Sequence, residues 1–166
     1  QTCALPIYFL HTETAEQIQE SIDTLVDTGR LVAADAKVLS VSRLHRFFTS
    51  SLGQQMKQAE RNGLLRREQP FVIKKEVKEV FPEAKEDGSV LVQGIIDGYY
   101  ETDNGVVLMD YKTDSLKKGQ ENVLVDRYRM QMRLYQEALE RKLGKPVKKI
   151  LLYSFSLGKE IEVEME

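Results

Sequence analysis

The sequence predicts an α/β domain, built in the order helices, three strands, a helix and two strands. Three observations carry this. Apolar residues recur at helical spacing from residue 12 to residue 63. From Leu64 the pattern changes to strand-like runs punctuated by an Asn-Gly turn. A long amphipathic stretch then separates the first three strands from the last two.

In the first region Ile18, Ile22, Leu25 and Val26 share one helical face, and Gly29 is a plausible stop. Residues 33–37 form a short helix or turn. Val41, Leu44, Phe47, Phe48, Leu52 and Met56 predict one further helix, capped by Ser40 or Ser42 and ending near Asn62-Gly63. Gln69-Pro70-Phe71-Val72-Ile73 begins the first strand, which residues 77–81 prolong, and residues 82–89 make a polar turn. Strands over 90–101 and 106–112 are joined by Thr102-Asp103-Asn104-Gly105. A helix starting at residue 118 or 126 runs to Leu143, where Gly144-Lys145-Pro146 stops it. Strands over 149–155 and 159–165 turn at Leu157-Gly158. Three segments result: residues 1–11 as a truncated or non-native start, 12–63 as a helical segment, and 64–166 as the core.

Composition sets bounds. The chain has 166 residues, 42% apolar and 30% charged, enough for one domain with a real core. A net charge of −2 does not favour an isolated DNA-binding module. The single cysteine, Cys3, excludes an internal disulfide framework and a four-cysteine metal site, and fits a reducing cytoplasm. No apolar run is long enough to span a membrane. Residues 1–10 are apolar but lack a basic lead-in and an initiator Met, so the chain reads as a piece of something longer.

The chemistry concentrates in Asp110-Tyr111-Lys112 and in Asp97, which closes the run Gly94-Ile95-Ile96. Strand alternation puts Asp110 and Lys112 on one face and Tyr111 on the other. A hairpin near Asn104-Gly105 sets Asp97 opposite Asp110 or one step away. Paired carboxylates repel and stay ionised together around a divalent cation, and oxygen donors select Mg²⁺ or Mn²⁺. Lys112 can orient a water or neutralise charge on a phosphate. The bland alternative is a solvated cross-strand salt bridge. In the following helix Tyr128, Met132, Tyr135, Leu139 and Leu143 form an inward stripe, and Gln131 shares its edge, within reach of the same site.

Gly-Ile-Ile-Asp97, then Asp110-Tyr111-Lys112-Thr113-Asp114, then Gln131-x-x-x-Tyr135 together resemble the RecB-like branch of the PD-(D/E)xK nucleases. The wording is most similar to the C-terminal nuclease domains of the AddA family, found in bacterial AddAB (RexAB) helicase–nucleases. The resemblance covers the chain from about Thr14 onward. It implies a restriction-endonuclease-like core, with a central mixed sheet flanked by helices. It implies Asp97 and Asp110 as metal ligands, Lys112 as the catalytic lysine, Gln131 and Tyr135 as supporting catalytic residues, and Glu68, before Pro70-Phe71, as a further candidate near the metal. It also implies a histidine ligand in a Gly-Thr-x-x-His setting, which this sequence lacks. His11 follows the unusual start, and His45 reads as structural, so the helix carrying that ligand is expected to be truncated or replaced.

The resemblance further implies a Mg²⁺-dependent exonuclease acting on single-stranded DNA ends, on the 3′-ended strand, in recombinational repair. An AddB/RexB-like partner would accompany it, and ATP would bind only in a helicase part outside this chain, which has no Walker loop. Candidate DNA contacts are Lys117, Lys118, Arg127, Arg129 and Arg133, with Lys57, Arg61, Arg66 and Arg67 as a second group. Tyr99 and Tyr100 are candidates for base stacking or simply strand residues. Two alternatives stay open: a catalytically inactive nuclease fold used for DNA binding or subunit docking, and a restriction- or phage-type nuclease of the same fold.

Overall fold

The structure is a computed structural model that describes residues 14–165. Thr14 caps helix α1 (Ala15–Asp27) in a reciprocal capping box with Gln17. A short helix α2 (Ala33–Ala36) leads to α3 (Val41–Thr49), which Ser40 caps.

The single helix expected over residues 41–62 is two. Ser50 is extended, with ψ 163°, and ends α3; its hydroxyl then accepts from Gly53 N at 3.1 Å and starts α4 (Ser51–Arg61). A serine side chain that can satisfy an orphan backbone donor makes the break locally favourable. Both halves of the stripe thereby reach the same core.

Strand β1 (Leu65–Glu76) is followed by one helical turn, α5 (Val77–Val80), where a strand extension was expected. Glu76 and Glu79 form a capping box there, and this local bonding ends the strand. Strands β2 (Ser89–Thr102) and β3 (Gly105–Lys112) form the expected hairpin, with Thr102 paired to Gly105. Helix α6 (Glu121–Leu143) ends at Gly144, whose φ of 64° suits glycine. Strands β4 (Val147–Ser154) and β5 (Lys159–Glu162) close the sheet.

The sheet order is β1-β2-β3-β4-β5, and it is mixed: β3 and β4 are parallel, the other neighbours antiparallel. Helix α6 makes the crossover that a parallel pair requires. Alternation along β3 divides the interior into two cores. Val107 and Met109 pack with Phe47, Leu52 and Met56 of α3 and α4, whereas Val106 and Leu108 pack with Met132, Tyr135 and Leu139 of α6. Among the described residues no helix is long and apolar enough to cross a membrane.

Two irregularities position the site. Pairing between β2 and β3 ends at Gly98–Met109, so their continuations splay apart. At the same level β1 is broken at Glu68, whose φ is +49° and which falls between the paired positions Arg67–Gly98 and Gln69–Ile96. Alternation in β2 changes phase there, since Ile96 and Tyr99 both lie in the core beneath α6. The arm made by residues 69–76 and 89–96 thus curls over α6, where Phe71 meets Tyr135 edge-on at 5.3 Å and Lys75 pairs with Glu137 at 2.9 Å. Gly94 permits this approach, because a Cβ there would lie 2.9 Å from the Phe71 ring.

Candidate active site

The splay between β2 and β3 leaves backbone groups of β3 without a strand partner on that side. Asp97 fills the gap: its Oδ2 accepts the Tyr111 N–H at 2.9 Å. The hairpin register, continued one step past Gly98–Met109, sets Asp97 across from Asp110. Asp110 and Lys112 point to the α6 face and are 3% and 8% exposed, while Tyr111 turns the other way onto Phe47, with ring centroids 5.2 Å apart.

The Lys112 ammonium is held from several sides. It forms an ion pair with Asp110 Oδ2, donates to Gln131 Oε1 at 2.9 Å and sits 3.6 Å from the centre of the Tyr128 ring. Gln131 Nε2 donates to the Tyr135 hydroxyl at 3.0 Å, and that hydroxyl donates to Ile95 O at 2.9 Å. The chain of donors fixes the Gln131 amide with its oxygen toward the lysine. Four of the five residues nominated from sequence as catalytic are thus joined by contacts around Lys112, through Asp110, Gln131 and Tyr135; Asp97 joins through the Tyr111 backbone.

Electrostatics bind the carboxylates into one unit. Burial, then the neighbouring Asp110 charge, pushes Asp97 up to about 6, against the pull of the Tyr111 N–H and Lys112. Burial also raises Asp110, opposed by Lys112. Burial and both aspartates push the Tyr135 phenol up to about 12, so it stays a donor. A carboxylate whose folded pKa exceeds the unfolded value of about 3.9 binds its proton more tightly in the fold. Without metal the fold is therefore expected to lose on the order of 2 kcal/mol as pH rises from 4 through 6, with Asp110 adding in the same direction. Urea titrations across that window should show a flatter dependence for Asp97→Asn; identical slopes would assign the proton to another group.

The donor set fits a hard divalent ion. Asp110 Oδ2 is wholly buried and has no well-directed hydrogen bond, only its ion pair to Lys112. Mg²⁺ is commonly held by one or two carboxylates, with water and substrate phosphate completing its shell. Among the described residues no three His, Cys, Asp or Glu side chains gather as a ready cluster. In this arrangement Glu68 is not gathered with Asp97 and Asp110 into such a cluster. Its left-handed backbone takes it out of the β1 ladder and it is exposed, although its charge still raises Asp97. His11 lies outside the described residues, and His45 is a half-buried residue of α3.

Among the nominated DNA contacts one is buried and several others already hold partners at the surface. Lys57 is 2% exposed. Arg127 pairs with Asp114, Arg129 bonds Glu164 O and Asp126, Arg67 pairs with Glu60, and Arg66 bonds the carbonyls of Gly63 and Leu65. Tyr99 and Tyr100, 3% and 6% exposed, are core residues and not a stacking surface. Sequence reasoning missed the cation–ring contact of Tyr128, which the stripe pattern had marked only as core.

A family model described as the PD-(D/E)XK nuclease superfamily matches residues 9–164. The chain is 36% identical over 156 residues to an ATP-dependent helicase/nuclease subunit of Clostridium perfringens (strain SM101 / Type A), covering 91% of this chain and 12% of that protein. It is 36% identical over 191 residues to the protein of the same name in Lachnoclostridium phytofermentans, covering 95% of this chain and 14% of the relative. For its counterpart in Thermoanaerobacter sp. (strain X514) the identity is 38% over 150 residues, with coverages of 89% and 12%. The chain thus spans a small part of the length of these relatives. With its mixed sheet, its motifs in order and a match across nearly its whole length, the chain belongs to the PD-(D/E)XK nuclease superfamily.

Proposed function

We propose that this chain is the metal-dependent nuclease part of a bacterial helicase–nuclease that processes DNA ends. The observation that carries the reading is Lys112 held by Gln131 and Asp110 at the mouth of the β2–β3 splay, with Asp97 across from Asp110. Asp97 and Asp110 would hold Mg²⁺ or Mn²⁺, which when bound supplies Lewis acidity and a more acidic water. Lys112 offers its ammonium to the phosphate oxygen on which charge grows, and Gln131 and Tyr135 keep it aimed. Burial of the pair strengthens these interactions relative to water.

The names of the relatives support a helicase–nuclease parent. On this reading cleavage acts exonucleolytically on single-stranded ends, with the 3′-ended strand as substrate, in recombinational repair in the cytoplasm. ATP binding and the contacts to an AddB/RexB-like partner belong to the remainder of the protein. In an end-cleavage assay of the full-length protein with Mg²⁺, Asp110→Ala should lose at least about a hundredfold in rate, the scale of removing one key electrostatic group. Undiminished cleavage would overturn the reading.

A second reading, a nuclease fold kept for DNA binding or docking, draws on the Lys112 ammonium already serving as counter-ion to Asp110. Calorimetric titration with Mg²⁺ and Mn²⁺ separates the two: DNA affinity with no metal uptake favours the second.

A further inference from the structure

Asp114 closes the run Asp110-Tyr111-Lys112-Thr113-Asp114, and neither the ion site nor the Gln131–Tyr135 chain uses it. It lies in the segment between β3 and α6, with its side chain 15% exposed. One carboxylate oxygen pairs with Arg127, and the other accepts the Tyr128 hydroxyl at 2.9 Å. Burial and the Asp114 charge raise the Tyr128 phenol, so the hydroxyl remains the donor. The anchored ring presents its face to Lys112 Nζ at 3.6 Å from the centroid. A cation attracted to a ring face acts within about 6 Å, and this one is close to contact.

We infer that Tyr128, anchored through its hydroxyl by Asp114, is a positioning residue for the Lys112 ammonium. The inference rests on the nuclease reading for its catalytic meaning. A lysine has a flexible four-carbon stem and rotatable donors, so its aim depends on what surrounds it. Tyr128 and Gln131 stand three residues apart on α6 and share a face. They hold the ammonium from the helix side, and Asp110 holds it from the sheet side. If Asp110 held a metal ion, the hold from the helix side would be the one left to the ammonium. The loop carrying Asp114 ties the end of β3 to the first half of α6 through the Tyr128 hydroxyl, so the ring's distance from Lys112 is set by both elements.

The test uses Tyr128→Leu, which keeps an apolar residue in the stripe but removes the ring; Tyr128→Phe, which keeps the ring and loses the anchor; and Asp114→Ala. Lysine-selective ¹³C labelling with NMR reads the Lys112 ε-methylene protons, assigned with Lys112→Arg. Lying over a ring, they should resonate upfield of the other lysines. The shift should vanish in Tyr128→Leu and persist in Tyr128→Phe, with Asp114→Ala in between. On single-stranded DNA ends, Tyr128→Leu should lower kcat about tenfold with KM unchanged, the scale of a desolvated cation–ring contact. Tyr128→Phe should recover most of that loss. An ordinary Lys112 resonance in the wild type, a wild-type kcat in Tyr128→Leu, or equal damage in Phe and Leu would overturn the inference. A wild type that cleaves no DNA but shows the shifted resonance would refute the nuclease reading and leave the Lys112–Tyr128 geometry upheld.

Discussion

Lys112→Met is expected to abolish strand cleavage and to destabilise the metal-free fold by about 3–5 kcal/mol, the cost of leaving one member of a buried pair without its partner. Asp110 and Lys112 are both nearly excluded from solvent, and Asp110 Oδ2 has no other partner among the described residues. Methionine fills similar space but offers no charge, so Asp110 must either stay ionised in a poorly solvating site or take up a proton. The destabilisation should therefore shrink as pH falls, in keeping with the raised pKa of Asp110. The double variant Asp110→Asn/Lys112→Met removes both charges and should recover much of the stability while remaining inactive. Urea denaturation and end-cleavage assays on the three proteins measure this. Wild-type stability in the single variant would mean that the pair is solvated.

The second large effect lies away from the chemistry. Gly53→Ala is expected to cost about 3 kcal/mol, at the upper end of what overpacking costs. A Cβ at Gly53 would stand 2.1 Å from Phe47 O and 2.9 Å from the Phe48 Cα, both backbone atoms that no side-chain rotation can move. Helix α4 would have to withdraw from the end of α3. Phe47 is fully buried and meets Tyr111 and Tyr153 at ring distances of 5.2 and 4.7 Å, so the strain reaches the strand that carries Asp110 and Lys112. A lower urea midpoint, together with reduced cleavage at temperatures where the variant is still folded, is the expected result. A midpoint equal to that of the wild type would show that α4 can shift without consequence.

Much of this architecture can be read from local chemistry. The Thr102-Asp103-Asn104-Gly105 junction and the flanking β-branched residues define the hairpin and narrow its register, which is why Asp97 could be set opposite Asp110 or one step away; the structure takes the first. The α6 stripe fixes which face Gln131 and Tyr135 present, because helical periodicity is unambiguous over 23 residues. The break at Ser50 was hidden because both sides of it continue the same apolar pattern. Residues 77–80 were expected to prolong the strand because Val-Lys-Glu-Val suits a strand as well as a helical turn, and a capping contact decides for the turn.

The phase change at Asp97 and the left-handed Glu68 leave no local trace, since they arise from the arm bending toward α6. The same holds for charge. Lys57 looks like a phosphate ligand in one dimension, but whether a cation faces solvent or the interior depends on elements distant in sequence. The role of Tyr128 was obscured for a similar reason: a residue on an apolar stripe does not announce that its ring also faces a charge.

Strand β3 serves two masters by turns. Its even positions 106 and 108 feed the α6 side and lead to 110 and 112, while 107, 109 and 111 feed the opposite layer. Odd and even are therefore not exchangeable. One residue gained or lost between Gly105 and Asp110 would send Asp110 and Lys112 together into an aromatic layer built for Tyr111 and turn the tyrosine toward α6 in their place. A change of two would restore the alternation and merely displace the site along the sheet. The length of this strand, and not only its letters, is thus part of what the chain must inherit to keep its chemistry.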